Sequence, residues 1–223
     1  MSQQDYFITG TDTNAGKTWT TLALMQAFKK RDKKVVGMKP VASGCRSEDG
    51  QLKNEDALLL QAHSSIAVDY DLINPYAYEL PISPHLAGKH SPADFAILAS
   101  RFEQLKSLAD IVLVEGAGGW YAPVNARQDI SDLAFALGLP VILAVAIKLG
   151  CINHAKLTAQ AIALKGLRLA GWIAVCNGRD MVCAEDNIGT LRGALDAPLL
   201  GVIPYLQSPD LNVLHSFLKL DTL

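Results

Sequence analysis

A short apolar run near the N-terminus, Tyr6-Phe7-Ile8, leads into Gly10-Thr11-Asp12-Thr13-Asn14-Ala15-Gly16-Lys17-Thr18, after which a helical pattern begins. An apolar strand, a loop of small residues and a Gly-Lys-Thr opening a helix restrict the fold strongly. Such a loop sits at the carboxyl end of a strand in a sheet covered by helices. Its N–H groups and the helix N-terminus face one point, which suits a polyphosphate; Lys17 then reaches the terminal phosphates and the Thr18 hydroxyl faces Mg²⁺. Asn14, Ala15, Gly16, Lys17, Thr18 and Trp19 are accordingly the candidate nucleotide loop. One irregularity stands out: the usual pattern has glycine at the position of Thr11, and Gly10 lies one residue too early.

Apolar runs and amphipathic segments alternate along nearly the whole chain. Strands are expected at 6–9, 35–38, 111–114, 141–146, 169–175 and 199–203, and helices at 18–30, 56–63, 93–108, 129–137, 153–165 and 184–195. Several strand runs are apolar on consecutive residues, as in strands buried on both faces. The alternation argues for a three-layer α/β fold of the P-loop NTPase type: a mostly parallel sheet with helices on both faces and right-handed crossovers. With 223 residues and no break in composition, 1–223 is read as one domain.

Half of the residues (50%) are hydrophobic and the net charge is −2, which excludes disorder and gives no basic field for nucleic acid or an anionic membrane. Pro140 to Ile147, the longest apolar stretch, is far short of a bilayer span, and Met1 to Asp5 carry no basic-then-apolar leader. The four cysteines, Cys45, Cys151, Cys176 and Cys183, form no Cys-x-x-Cys pair and no zinc-spaced set with histidine. Reduced thiols in a cytoplasmic protein are expected.

Ligands of parallel sheets collect beyond the carboxyl ends of the strands, so the residues after each strand are the candidates. Lys39 and Ser43 follow the second run. Lys39 either points into the phosphate site with Ser43 as a hydrogen-bonding neighbour, or is a solvated lysine before a proline turn. Glu115, Gly116, Ala117 and Gly118 follow the third. A carboxylate at a strand tip suits Mg²⁺ and the glycines admit a ligand close to the backbone; the alternative is an acid-capped turn. After the fourth run Asn153 reads as a helix N-cap, which turns the N–H groups of the Gly150–Asn153 loop toward a carboxylate. Cys151 beside His154 is not read as a nucleophile pair, because phosphoryl transfer needs none and no acyl-transfer triad accompanies it. Asn177 suits an adenine edge, and Pro204, Tyr205 and Leu206 suit a base face, against a turn-forming alternative for both. Asp56, at the head of a helical run, has N-cap or first-turn duty as its local reading.

Gly10–Thr18, Lys39–Gly44, Asn54–Ala57, Ser83–His85, Val114–Trp120, Lys148–Ala155 and Pro198–Pro204 together resemble the dethiobiotin synthetase family, in order and over nearly the whole chain. That family's phosphate motif carries the same offset glycine. The resemblance implies ATP, CO₂ or bicarbonate and 7,8-diaminononanoate as substrates, joined through a carbamate and a carbamic–phosphoric anhydride. It implies Thr18, Asp56 and Glu115 around Mg²⁺, Lys17 on the phosphates and Lys39 as the catalytic lysine beside the carbamate. Thr13 and Ser43 would lie near the diamine. Gly150, Cys151 and Asn153 would receive the substrate's distal carboxylate across the interface of a homodimer.

Two features depart from the family. Asn14 stands where relatives often carry glutamate, and Asn177 comes two residues later than the family's adenine-site asparagine. Partition and septum-site switch ATPases share the offset loop but carry lysine at the position of Asp12, which counts against that alternative. A cobalamin-type amidotransferase would need a glutamine-hydrolysing domain for which no chain remains, and a nucleotide-binding protein without turnover is the blandest alternative.

Overall fold

The computed structural model describes residues 5–178, 182–206 and 211–223. The chain opens with β1 (Tyr6–Gly10), whose five residues are all buried, and enters α1 (Lys17–Lys29) through the phosphate loop. β2 (Val35–Met38) follows, and then an excursion of short pieces: β3 (Val41–Ser43), the hairpin β4 (Arg46–Glu48) and β5 (Gln51–Lys53), α2 (Glu55–His63), α3 (Tyr70–Ile73), β6 (Tyr76–Tyr78) and α4 (Pro84–Ala87). Regular alternation resumes with α5 (Phe95–Leu108), β7 (Ile111–Glu115), α6 (Ile130–Leu137) and β8 (Val141–Ala146). It continues with α7 (Cys151–Leu164), β9 (Leu169–Val175), α8 (Ala184–Ala194), β10 (Leu199–Ile203) and a 3₁₀ turn at Leu211–Phe217.

Six strands form one sheet in the order β10-β9-β8-β1-β7-β2, and every recorded pairing within it is parallel. β1 lies at the centre, with Phe7 opposite Val114 of β7 and Val141 of β8. The chain leaves β1 in one direction to build β2 and β7 and returns to its other side to build β8, so the carboxyl end of β1 is a switch point where a ligand crevice opens. Both faces are covered. Ile173 and Val175 of β9 join the larger core with Leu22, Met25 and Phe28 of α1, whereas Trp172 and Ala174 join a second core with Ile188 and Leu191 of α8. That alternation is the period-two pattern of a strand between two helical layers.

The six expected strands all form, and their neighbouring helices start within two residues of expectation. Asn54 caps α2 by accepting the Ala57 N–H at 3.2 Å, and Asp129 with Asp132 forms a capping box on α6. One boundary is corrected. Asn153 is not the N-cap of α7; Gly150 holds that place with φ 89°, which lets the helix begin at Cys151 and leaves Asn153 in its first turn. Within the excursion between β2 and α5 the helix expected at 56–63 forms as α2, whereas the other pieces went unread because they span three or four residues, too short for periodicity to separate from loop. Its hairpin carried a signal all the same: Asp49-Gly50, with φ values of 52° and 80°, is the two-residue turn between β4 and β5.

Candidate active site

The phosphate loop owes its shape to two left-handed residues, Asn14 (φ 58°) and Gly16 (φ 87°). Gly16 has a second requirement, since a Cβ there would stand 2.5 Å from Cγ1 of Val175 on β9. Across the same contact the Asn177 side-chain amide donates to the Asn14 carbonyl at 2.6 Å, which ties the loop to the exit of β9. Lys17 folds back to donate to the Asp12 carbonyl at 3.1 Å, and Asp12 itself pairs with Lys148 at 3.4 Å. Burial, aided by the neighbouring Lys39 ammonium, lowers Lys17 to about 8.

Beneath the loop lies a compact charge cluster. The Lys39 ammonium sits 2.6 Å from Glu115 Oε1 and 3.0 Å from Asp56 Oδ2. Burial alone would depress Lys39, but the two carboxylates outweigh it and hold the ammonium above its usual value. Burial likewise pushes Asp56 up, and the Lys39 ammonium, by charge and hydrogen bond, more than reverses this, keeping the carboxyl below its usual range. Glu115 is fully buried at the tip of β7 and accepts from Thr18 Oγ1 at 3.0 Å and from Thr21 Oγ1 at 2.8 Å. Thr21 carries one hydroxyl proton and also lies 2.9 Å from the Lys17 carbonyl. Both partners can only accept, and the ionised carboxylate is the stronger acceptor for that proton.

A cavity of about 920 Å³ opens over this cluster at the carboxyl edge of the sheet. On the β2 side it is lined by Lys39, Ser43 and Asp56, together with Pro81 to Pro84; on the β9–β10 side by Val175, Cys176, Asn177, Tyr205 and Leu206. Thr13, Asn14, Gly16, Lys17, Thr18, Trp19, Ala117 and Gly118 line it between. The Ser43 hydroxyl is buried with no hydrogen-bond partner among the described residues, so a polar group in the cavity would complete it.

Other candidates do not line the cavity. Ala15 packs inside the phosphate loop, Gly116 lies against Phe7 and Ile130, and Pro204 is half-buried beside the lining residue Tyr205 in sequence. Gly150 and Asn153 lie exposed on the outer surface, while the Cys151 side chain is buried toward α8, its Sγ 3.7 Å from Asn187 Oδ1. All four cysteines are free thiols. Thr21 was missed by the sequence reading, although its place three residues after Thr18 puts both on one helix face.

The donor set fits Mg²⁺. Thr18, Asp56 and Glu115 bring hard oxygen ligands together, and among the described residues no group of three or more His, Cys, Asp or Glu forms an all-protein cage. Magnesium favours this arrangement, one or two carboxylates completed by substrate phosphates.

A family profile described as an AAA domain matches residues 4–211. An ATP-dependent dethiobiotin synthetase BioD from Xanthomonas axonopodis pv. citri is 47% identical, over 94% of this chain and 95% of that one. The protein of the same name from Vibrio vulnificus is 44% identical over 98% and 97%. Among solved structures, the MinC:MinD cell division protein complex of Aquifex aeolicus matches with a TM-score of 0.57 at 17% identity, covering 92% of this chain and 82% of that one. The signal recognition particle receptor FtsY of Elizabethkingia anophelis matches with a TM-score of 0.54 at 16% identity, over 97% and 66%. At such identities these two show the fold alone, a P-loop α/β sheet. Near-half identity along almost the entire length shows more: within the AAA-domain group that its profile match defines, the chain belongs to the ATP-dependent dethiobiotin synthetase family.

Proposed function

We propose that this chain carries out the ATP-dependent carboxylation and ring closure of 7,8-diaminononanoate with CO₂, releasing dethiobiotin, ADP and phosphate. The observation that supports it best is the Lys39 ammonium between Asp56 and Glu115, on the floor of the cavity into which the phosphate loop opens. A neutral amine of the substrate attacks CO₂, forms the C–N bond and loses a proton, giving a carbamate. A carbamate oxygen then attacks the γ-phosphorus of ATP and ADP leaves. The second amine attacks the carbonyl carbon of this mixed anhydride, loses a proton and expels phosphate as the ring closes.

The chain's own residues meet the demands of these steps. Carbamate and triphosphate are both anionic, and Lys17 with Lys39 offsets their repulsion and the charge that spreads over the transferred phosphoryl group. Lysine ammonium groups near the diamine disfavour its protonated form and leave more nucleophile at neutral pH. Ser43, whose hydroxyl has no partner among the described residues, and Thr13 hydrogen-bond the carbamate or diamine. Holding amine and anhydride together makes ring closure effectively unimolecular, worth about 7–11 kcal/mol in well-oriented cases. Thr18, Asp56 and Glu115 would hold Mg²⁺, which when bound adds positive charge beside the phosphates. Asn177, Tyr205 and Leu206, which line the cavity, would take the base, and Ala117 with Gly118 would run along the nucleotide.

Gly150, Cys151 and Asn153 do not line this chain's own cavity, and Leu149 beside them is 93% exposed. A homodimer that covers Leu149 and presents the Gly150 and Asn153 N–H groups to the partner's substrate carboxylate accounts for both, the Cys151 N–H being held by the Lys148 carbonyl at 2.9 Å. Among the described residues no helix is long and apolar enough to cross a membrane, and the reaction is assigned to the cytoplasm. The deciding assay is ATP hydrolysis by the purified chain, which should require diaminononanoate and bicarbonate together. Hydrolysis without them would indicate a switch ATPase, and nucleotide binding without hydrolysis a protein that only binds.

A further inference from the structure

Lys39 is held at both ends. Beyond its ammonium contacts, its N–H donates to the Ile73 carbonyl at 2.8 Å and its carbonyl accepts from the Asn74 side-chain amide at 2.6 Å. Asn74 is 2% exposed and belongs to none of the motifs that marked the site. Its Oδ1 accepts from the Tyr70 hydroxyl at 3.0 Å, and that hydroxyl accepts from the Asn54 N–H at 2.7 Å. Asn54 is the cap of α2, and Asp56 lies in the first turn that it caps. Asp56 returns to the Lys39 ammonium at 3.0 Å, which closes a ring.

The polarity of the ring is determined by its chemistry. A carbonyl can only accept, so the Asn74 NH₂ must face Lys39 and its Oδ1 must face Tyr70. The hydroxyl then spends its single proton on Asn74 and uses a lone pair for Asn54. The exit of β2 and the cap of α2 are separated in sequence by β3 and by a hairpin whose first strand is fully exposed. Tyr70 and Asn74 bridge them through the buried side of that excursion.

We infer that Tyr70 and Asn74 are positioning residues for the Lys39–Asp56 pair, setting the distance between the β2 exit and the first turn of α2. This rests on the roles given to Lys39 and Asp56 in the proposed function. Removing the Tyr70 hydroxyl leaves the phosphate loop untouched, so turnover and metal affinity should change while ATP binding does not.

The test compares Tyr70→Phe with Leu191→Ala, a core truncation in α8 that lowers stability away from the ring. Thermal melting, kcat and ATP KM at saturating Mg²⁺, and Mn²⁺ affinity by electron paramagnetic resonance with a non-hydrolysable ATP analogue are measured for each. Tyr70→Phe should lower kcat and weaken Mn²⁺ binding by about tenfold, the usual scale for losing an outer partner of a metal site, with ATP KM unchanged. Leu191→Ala should lower only the melting temperature. Asn74→Ser, too short to reach the Lys39 carbonyl, should repeat the Tyr70→Phe pattern and decides the matter if Tyr70→Phe is too unstable to assay. Loss of melting temperature with kcat and Mn²⁺ affinity intact overturns the inference. Lys39→Gln is measured alongside: full turnover in that variant sinks the proposed function itself, whereas an inactive Lys39→Gln beside a fully active Tyr70→Phe sinks only the inference.

Discussion

Two lysine–carboxylate pairs in this molecule have nearly the same separation and different consequences. Lys39 lies 2.6 Å from Glu115, the side chains 6% and 0% exposed; Lys165 lies 2.5 Å from Asp132, 28% and 31% exposed. Around the second pair water competes for both charges, and each would remain hydrated without the other. Around the first there is no such alternative, so each charge depends on its partner. Glu115 is further clamped by Thr18 and Thr21, and Lys39 is shared with Asp56. Asp132 mainly serves its own helix, its Oδ2 accepting the Asp129 N–H at 2.9 Å in the cap of α6. Separation reports contact; burial decides whether the contact organises a site or trims a surface.

The strongest challenge to this contrast is Lys39→Gln. It strands Glu115 in the interior and should cost about 3–5 kcal/mol in urea unfolding. Turnover should also fall by about 10²-fold or more, with nucleotide binding retained. A stability loss no greater than that of Lys165→Ala would show that burial is not what separates the pairs.

Thr21→Val sharpens the comparison from within the cluster, because it keeps shape and removes one donor to Glu115. The expected loss is about 1–3 kcal/mol, the scale of a buried acceptor left unpaired. The Mg²⁺ concentration for half activity should rise as Glu115 reorients, and Thr21→Ser should restore it. An unchanged Mg²⁺ titration would assign Thr21 to packing alone.

The smallest effect belongs to Lys165→Ala, about 0.2–1 kcal/mol at neutral pH. Its pH dependence follows from the two shifts. Burial is the largest single influence on Asp132 and raises it, but the Lys165 ammonium and the Asp129 N–H together prevail and hold it below the usual 3.8. Its contribution is therefore complete above 3.8 and is lost as pH falls through the lower folded value. Lys165 is raised above 10.5, chiefly by its hydrogen bond to Asp132, so the contribution is also lost as pH rises through that raised value. Wild type and variant should differ most between these limits and converge in acid. A difference that grows in acid would contradict the pairing.

Legibility in the sequence followed the range of the physics involved. β1, β7 and β8 could be read because strands buried on both faces are apolar at consecutive positions. The phosphate loop could be read because Gly16, Lys17 and Thr18 act through local backbone geometry. Thr21 and the Tyr70–Asn74 bridge could not, since a buried hydroxyl or amide has no periodicity and gains meaning only from a partner distant in sequence. Asn153 was misplaced for the opposite reason: its capping chemistry is sound, but Gly150 reaches the left-handed conformation at lower cost and starts the helix earlier.

By itself, the sequence determined the parallel sheet, the phosphate loop and the family, because strand burial, glycine conformation and blocks of chemistry are written in neighbouring residues. Only the tertiary structure decided that Lys39, Asp56, Glu115, Thr18 and Thr21 share one buried cluster. Those residues come from β7, α1, α2 and the exit of β2, and electrostatics in a dry interior depends on distances in space that spacing along the chain does not carry.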